Sequence, residues 1–527
     1  MSTGRSIAKA AGFIMATTII ARLLGLVRDM LFYTWFGRSY MTDAYNAAFS
    51  IPDLLYFLLV GGALSSAFMP VFSSYLARNE EDEGWKVAST VFNFTILTML
   101  VLIIIAEFNT RPLLLMLVPN LSPESINLAV TLTRVMFIQT FFMACNGLSW
   151  GVLNSKQHFT WPAIGSILYN LGIIAFGLAL SKPLGIMGFA IGVVAGSILV
   201  FAVQIPALIK AGLRYYPSLD WRNPGFQQIV KLMLPSMLGL SVTQLNLFVT
   251  QYLASGLAAG SITALNLAQR IMQLPLSIFG ISIAQAVFPT MNTQAAKNET
   301  EDFIKTFSKG IRTIFLITVP SGIGLIALRE PIIGLLFQQG QFTAADTTAT
   351  AWALLFYSLG LFAYSALQIV NRIFYSMKDT LTPVLTGIFA IVSNRIISYF
   401  LIDQMQHGGL ALAYSLAGVI NVLLLMSVLK WRLKHIDGIK ILRTFAIASA
   451  ASGIMYFAAR GTVVGLGSIL QLGTKLNDLV MVVAGIGVGC LVYGLIILLL
   501  KLEEGQIVLG MLKRKVPALS FLDRFGR

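Results

Sequence analysis

The strongest constraint on this chain is a succession of apolar runs, each near twenty residues long, separated by short polar connections. A helical run of that length matches the hydrocarbon thickness of a bilayer, and a helix satisfies its own backbone hydrogen bonds there. Spanning β-strands would instead show segments of about 10 residues with alternating polarity, and the sequence lacks them. Composition agrees: 57% of the 527 residues are hydrophobic and 11% are charged, against roughly 25% charged in a soluble domain. The fold class that follows is an all-α integral membrane protein.

Fourteen transmembrane helices are expected, at about 6–36, 42–77, 86–108, 124–155, 159–181, 186–210, 224–254, 260–296, 303–328, 345–376, 382–403, 409–433, 441–460 and 477–500. The longest of them must tilt, kink or project beyond the bilayer, with Pro52, Pro235 and Pro275 as kink points. The first run passes into charge rather than a small-residue cleavage site, so it reads as a span and not a signal peptide. With the N-terminus in the cytoplasm, about 25 of the Lys and Arg residues fall on the inner side and about six on the outer. The inner set includes Lys210, Arg214, Arg222, Lys430, Arg432 and Lys513–Lys515, and the outer set Arg38, Arg111 and Arg329. Both termini are therefore expected on the inside. The net charge of +15 orients spans and does not point to nucleic acid. Cys145 and Cys490 have no metal or redox spacing, so no metal site is expected.

The chain nearly repeats itself. "DAYNAAFSIP" (43–52) aligns with "TALNLAQRIM" (263–272), "ARNEE" (77–81) with "AKNET" (296–300), and "NSKQHFTWP" ending at Pro162 with "YSMKDTLTP" ending at Pro383. Gly188 falls opposite Gly409. Six spans per copy preserve orientation, which makes the copies parallel repeats of the kind that transporters rock about a shared site. The expected organisation is a first lobe at 1–215, a second at 216–436, two additional helices at 437–505 and a basic cytoplasmic tail at 506–527.

Six arginines remain inside spans: Arg22, Arg28, Arg134, Arg270, Arg372 and Arg395. Each costs about 2.5–3.5 kcal/mol at mid-bilayer unless it meets water or a partner. Arg22 lies roughly 20 Å from the inner surface at 1.5 Å per residue, too deep to snorkel easily. Gly25 and Asp29 share its stripe. Asp29 reads either as a gate partner or as a neutralising neighbour. Arg270 is again near mid-depth, and its repeat counterpart is Ser50. Arg22, Arg28, Asp29 and Arg270 are the leading candidates for a cationic cavity. A second group reads as cavity or gate: Arg134, Arg395, Asp53, which serves equally as a local partner for an arginine, and the polar face of span seven, Gln244, Asn246 and Gln251. Interhelical hydrogen bonding accounts for the last three equally well. A cationic cavity wants an anion, and the guanidinium fork suits phosphate.

"ARLLGLVRDMLFYTWFG", "TDAYNAAFSIPDLL", "GALSSAFMPVF", "AQRIMQLP" and "LFQQGQFTAAD" together resemble the MurJ (MviN) lipid II flippases, members of the multidrug/oligosaccharidyl-lipid/polysaccharide exporter superfamily. The resemblance implies a V-shaped pair of six-helix lobes and alternating access. The cargo it implies is lipid II or a similar polyprenyl-pyrophosphate glycolipid, moved to the outer leaflet of the bacterial cytoplasmic membrane. It further implies a lipid-tail groove at the last two helices. By position, Arg22, Arg28, Asp29 and Arg270 match cavity residues of the family, and Asp43 matches an acid at the outer start of span two. Where the family often reads "PNLLRR", this chain reads "PDLLYF": Tyr56 replaces an arginine and Asp53 adds an acid. Either Arg134 or Arg395 compensates, or the pyrophosphate rests on fewer arginines.

Two other classes fit the sequence less well. An exporter of cationic drugs would carry acids where this chain carries arginines; a flippase for another polyprenyl-linked saccharide stays open. An enzyme would need clustered acids or a catalytic loop domain, whereas the three histidines, His158, His407 and His435, are scattered and no Walker A or HExxH motif is present. No cofactor is expected. Membrane potential or a monovalent cation is left as the coupling force. The expected partners are the glycolipid, membrane lipids and cell-wall synthesis proteins, with the chain itself monomeric.

Overall fold

The computed structural model describes residues 2–61, 63–469 and 473–500; the basic tail at 506–527 lies outside them. The described residues form α-helices and one short π-helical turn, with no strand. Ten helices are long and apolar enough to cross a membrane, or eleven if one bent pair is a single span. Two compact units are present: the chain up to Thr263 with Gly340–Phe342, and Ala264–Gln339 with the chain from Thr343.

The first unit holds α1 (Ser2–Phe36), α2 (Tyr40–Ala48), α3 (Ser50–Leu59), α4 (Ala63–Ala77), α5 (Glu81–Phe108), α6 (Thr110–Leu117), α7 (Pro123–Ser155), α8 (Thr160–Leu184), α9 (Met187–Lys210) and α10 (Pro224–Ala254). Local sequence sets several starts. Ser122 accepts from the Ser125 amide at 3.2 Å, with Pro123 in the first turn of α7. Asn223 caps α10 in the same way through Gly225 and Phe226. Glu81, Asp82 and Glu83 complement the N-terminal dipole of α5.

The expected second span is broken into α2, α3 and α4. Pro52 has no N–H to offer the Ala48 carbonyl, so the ladder opens between α2 and α3. Thr133 of α7 donates its hydroxyl to that carbonyl at 3.2 Å. Pro235 does not interrupt α10. A helical hairpin of α8 and α9 closes on small residues: a Cβ on Gly172 would lie 2.6 Å from the Gly196 Cα.

The repeat placed the span at 224–254 in the second lobe, with a boundary at 215/216. The helix there, α10, instead belongs to the first compact unit, whose boundary falls at Thr263. It packs on α3 and α4, and Ser50 donates to the Gln251 Oε1 at 2.6 Å. The linker before it is strapped to α5 by Asn93, which donates to the Ser218 and Tyr216 carbonyls at 2.9 and 3.3 Å.

The second unit contains most of α11 (Ser261–Pro275), a π-helical turn (Leu276–Ile281), α12 (Ser282–Ala296), α13 (Thr300–Phe337), α14 (Ala344–Leu359), α15 (Leu361–Ser376), α16 (Leu381–Met405), α17 (His407–Leu433), α18 (Gly438–Ile469) and α19 (Thr474–Leu499). Its core is aliphatic and aromatic, built on Phe307, Ile311, Ile314, Ile369, Val370 and Phe374. The π turn follows Pro275, where the intrahelical bond to Ile271 is missing. The pair α14 and α15 bends by 42°. There the Gly360 amide bonds Tyr357, and the Ser415 hydroxyl donates to the freed Phe356 carbonyl at 2.7 Å. Both α18 and α19 pack on α13.

The repeat is written in the backbone. Left-handed residues stop helices at matching places: Asn79 (φ 59°) and Asn298 (φ 58°), Gln157 (φ 62°) and Lys378 (φ 60°), Gly185 (φ 57°) and Gln406 (φ 53°). Gly188 and Gly409 each lie where a Cβ would come within 2.6 Å of the preceding helix's backbone, at Leu180 and Leu401.

Candidate functional site

The first helix carries Arg22, Arg28 and Asp29 within an apolar run. Arg28 is paired with its neighbour Asp29, its Nε and a terminal nitrogen donating to one carboxylate oxygen at 3.0 and 2.8 Å. Their side chains are 21% and 13% exposed, so water reaches the pair only partially. The other terminal nitrogen of Arg28 donates to Asn170 Oδ1 of α8 at 3.2 Å. Asn170 also donates to the Ala21 carbonyl of α1 at 3.3 Å and to Ser166 in its own helix at 3.0 Å. Gly25 leaves room for this: a Cβ there would stand 3.5 Å from Asn170 Oδ1. The face of α1 at the joint with α8 is therefore Ala21–Gly25–Arg28, with Asp29 beside it through Arg28; of the expected Arg22–Gly25–Asp29 stripe, Gly25 alone lies on that face. Arg22 itself is exposed, six residues before Arg28, about 9 Å along the axis at 1.5 Å per residue.

Asn170 is the residue that the sequence reading missed. Its only signal is a single amide side chain in an otherwise apolar stretch, "ILYNLGII".

Asp43 is 2% exposed. It accepts from the Gly260 amide at 2.5 Å, the Thr263 amide at 2.8 Å and the Thr263 hydroxyl at 2.8 Å. Those amides open the N-terminus of α11, where a carboxylate is favoured by the helix dipole. Thr42 and Asn46 add hydrogen bonds to Thr263 at 3.0 and 3.3 Å. Asp53 and Tyr56 lie one turn apart on α3, both half-buried. Arg134 pairs with Glu107 of α5 at 3.3 Å, on a face where both side chains are well exposed, 51% and 41%. That acid was invisible along Arg134's own span. On α10, Gln244 is buried, Asn246 is half-buried and Gln251 takes the hydrogen bond from Ser50.

Two candidates lie in the second unit. Arg270 occupies the exposed side of α11, while Leu267, Ala268, Ile271 and Met272 are buried. Arg395 shares an exposed face of α16 with Val392 and Tyr399, whereas neighbouring Asn394 is 1% exposed and accepts from Ser398 at 3.3 Å. No cluster of His, Cys, Asp or Glu able to hold a metal is found among the described residues.

The fold is similar to that of a multidrug resistance MATE family transporter of the MOP superfamily in its inward-facing conformation. The TM-score is 0.66 at 14% identity, over 81% of this chain and 99% of the other. That likeness defines the class by fold: an all-helical, multi-span membrane fold. A solved lipid II flippase MurJ in an inward closed conformation is more similar, with TM-score 0.77 and 30% identity over 92% of this chain and 98% of that one. The probable lipid II flippase MurJ of Buchnera aphidicola is 30% identical over 472 residues, 89% of this chain and 92% of its own length. Residues 32–484 match the family model described as lipid II flippase MurJ. The chain belongs to the MurJ family, a family of transporters and not of enzymes.

Proposed function

We propose that this chain flips lipid II, the undecaprenyl-pyrophosphate-linked peptidoglycan precursor, from the inner to the outer leaflet of the bacterial cytoplasmic membrane by alternating access. Family membership supports the cargo. The joint of Arg28, Asp29 and Asn170 supports the chemistry. Without cargo, Asp29 neutralises Arg28. A pyrophosphate replaces that carboxylate with a stronger bidentate acceptor, so the arginine exchanges one anion for another and is never left bare in a low dielectric. Arg22 and Arg270 contribute further cations to the headgroup. Asp43 acts as a gate residue by holding the start of α11. Inward-placed termini, fourteen crossings, a monomeric state and a tail groove at α18 and α19 belong to the same proposal. Coupling rests on the membrane potential or a monovalent cation.

Depleting the protein from a host without a second flippase is expected to trap lipid II where an external probe cannot reach it. A normal rate of appearance outside would refute the cargo assignment, and accumulation of a different polyprenyl-linked saccharide would replace it. Arg22→Ala and Arg270→Ala are expected to abolish complementation while the protein still inserts; full activity in both would sink the cationic-site reading.

A further inference from the structure

A cavity of about 170 Å³ lies inside the first unit, between α4, α5, α7 and α9, and the linker after α9 closes one side of it. Its floor is buried: Phe68, Trp85, Ala88, Leu148 and Ser149 are each no more than 6% exposed. Its mouth is different. Ile205, Leu213 and Tyr215 line it and are among the well-exposed large apolar side chains. Ile205 continues an exposed apolar strip along α9, with Ile198, Leu199 and Ile209. Since α9 is one of the helices long and apolar enough to cross the membrane, that strip is the surface lipid covers. The cavity is thus a side pocket of the lipid-facing surface.

Its depth fits the same reading. From Trp85 to Phe92, both of which line the cavity, α5 advances about 10 Å. The pocket therefore runs inward from the helix ends toward the acyl region. Its volume holds about six groups the size of a water or methylene, at roughly 30 Å³ each. Three charge pairs stand near the helix ends: Lys156 with Glu81, Arg214 with Asp82, and Lys86 with Glu83. Lys210, exposed at the end of α9, adds one cation but does not line the cavity, whose walls are largely apolar.

We infer that this pocket binds the end of one acyl chain of a bilayer phospholipid, without selecting its headgroup, and that the bound chain supports the linker wall at Leu213 and Tyr215. A chain inserted there meets apolar walls on several sides where the bilayer would otherwise face an unfilled void, which is the state that packing disfavours.

Trp85 is a built-in reporter, buried at 1% exposure and out of reach of lipid that stays outside. The full-length protein is reconstituted in vesicles of phosphatidylcholine or phosphatidylglycerol with brominated or ordinary acyl chains. The Trp85 component is obtained by difference from Trp85→Phe. Brominated chains of either headgroup are expected to remove more than half of that component. Filling the pocket with Ala88→Phe, or independently with Ser149→Phe, is expected to restore most of it. An unquenched Trp85 in wild type overturns the proposal. So does quenching that persists in both filling variants, or quenching confined to phosphatidylglycerol. Lipid retention by the wild-type protein in native mass spectrometry gives a reading that needs no variant: a protein stripped of phospholipid by mild detergent with no change in Trp85 emission also overturns it.

Discussion

Asn170 and Asp29 divide the work around Arg28 differently. Asp29 supplies charge, while Asn170 fixes direction by tying the guanidinium to α8 and α8 to the Ala21 carbonyl. Asn170→Leu keeps the ion pair and removes the tether. A lost hydrogen bond to a charged group is worth about 1.5–3 kcal/mol, so transport is expected to fall about tenfold or more at unchanged protein level, measured as the rate at which lipid II becomes accessible outside. An unaltered rate would make Asn170 a mere packing residue. A second residue-scale prediction concerns the loop between α15 and α16. Burial pushes the Asp379 carboxyl up, yet it ends below its ordinary value. The Thr382 hydroxyl and amide, the Arg432 guanidinium and the Leu381 amide together outweigh that burial. Arg432 stands 2.7 Å away. A depressed carboxylate pKa contributes stability that is present above the unfolded value of about 3.9 and is lost as pH falls through the folded one. Detergent-solubilised protein is expected to lose melting temperature as pH drops below about 4, and Asp379→Asn to flatten that acid limb.

At the scale of elements, the breaks matter more than the helices. The run 42–77 is apolar enough to be read as one span, and Pro52 was legible as a kink. What replaces the missing bond was not, because Thr133 lies far along the chain. The bend at Gly360 carried no proline to announce it. At the bend α17 approaches so closely that a Cβ on Gly360 would stand 2.5 Å from Ser415 Oγ. Gly360→Ala is therefore expected to cost about 1–3 kcal/mol through overpacking, read as a lower melting temperature. A neutral result would show that α17 can retreat. The arginines tell a similar story. Their place within apolar runs was readable, but the acid facing Arg134 and the amide facing Arg28 come from other helices.

For the whole molecule, the duplicated sequence and the duplicated backbone agree at three pairs of left-handed turns, so the offset of the repeat is a property of the chain itself. The proposed sidedness rests on it together with the distribution of basic residues. In a chain with Cys145 and Cys490 replaced, cysteines at Leu219 and Asn79 are expected to react with an impermeant thiol reagent only from the inside, and one at Arg111 only from the outside. The reverse pattern would invert the topology and the direction of flipping with it. Sequence alone determined the class: long apolar helices, a repeat, arginines at membrane depth and motifs shared with a family. These are local or periodic properties, fixed by the bilayer's thickness and the cost of bare charge. Tertiary structure decided which charges are paired, and that α10 completes the first unit and not the second. Those outcomes depend on which helix faces reach one another, and packing at a distance leaves no period in the sequence to read.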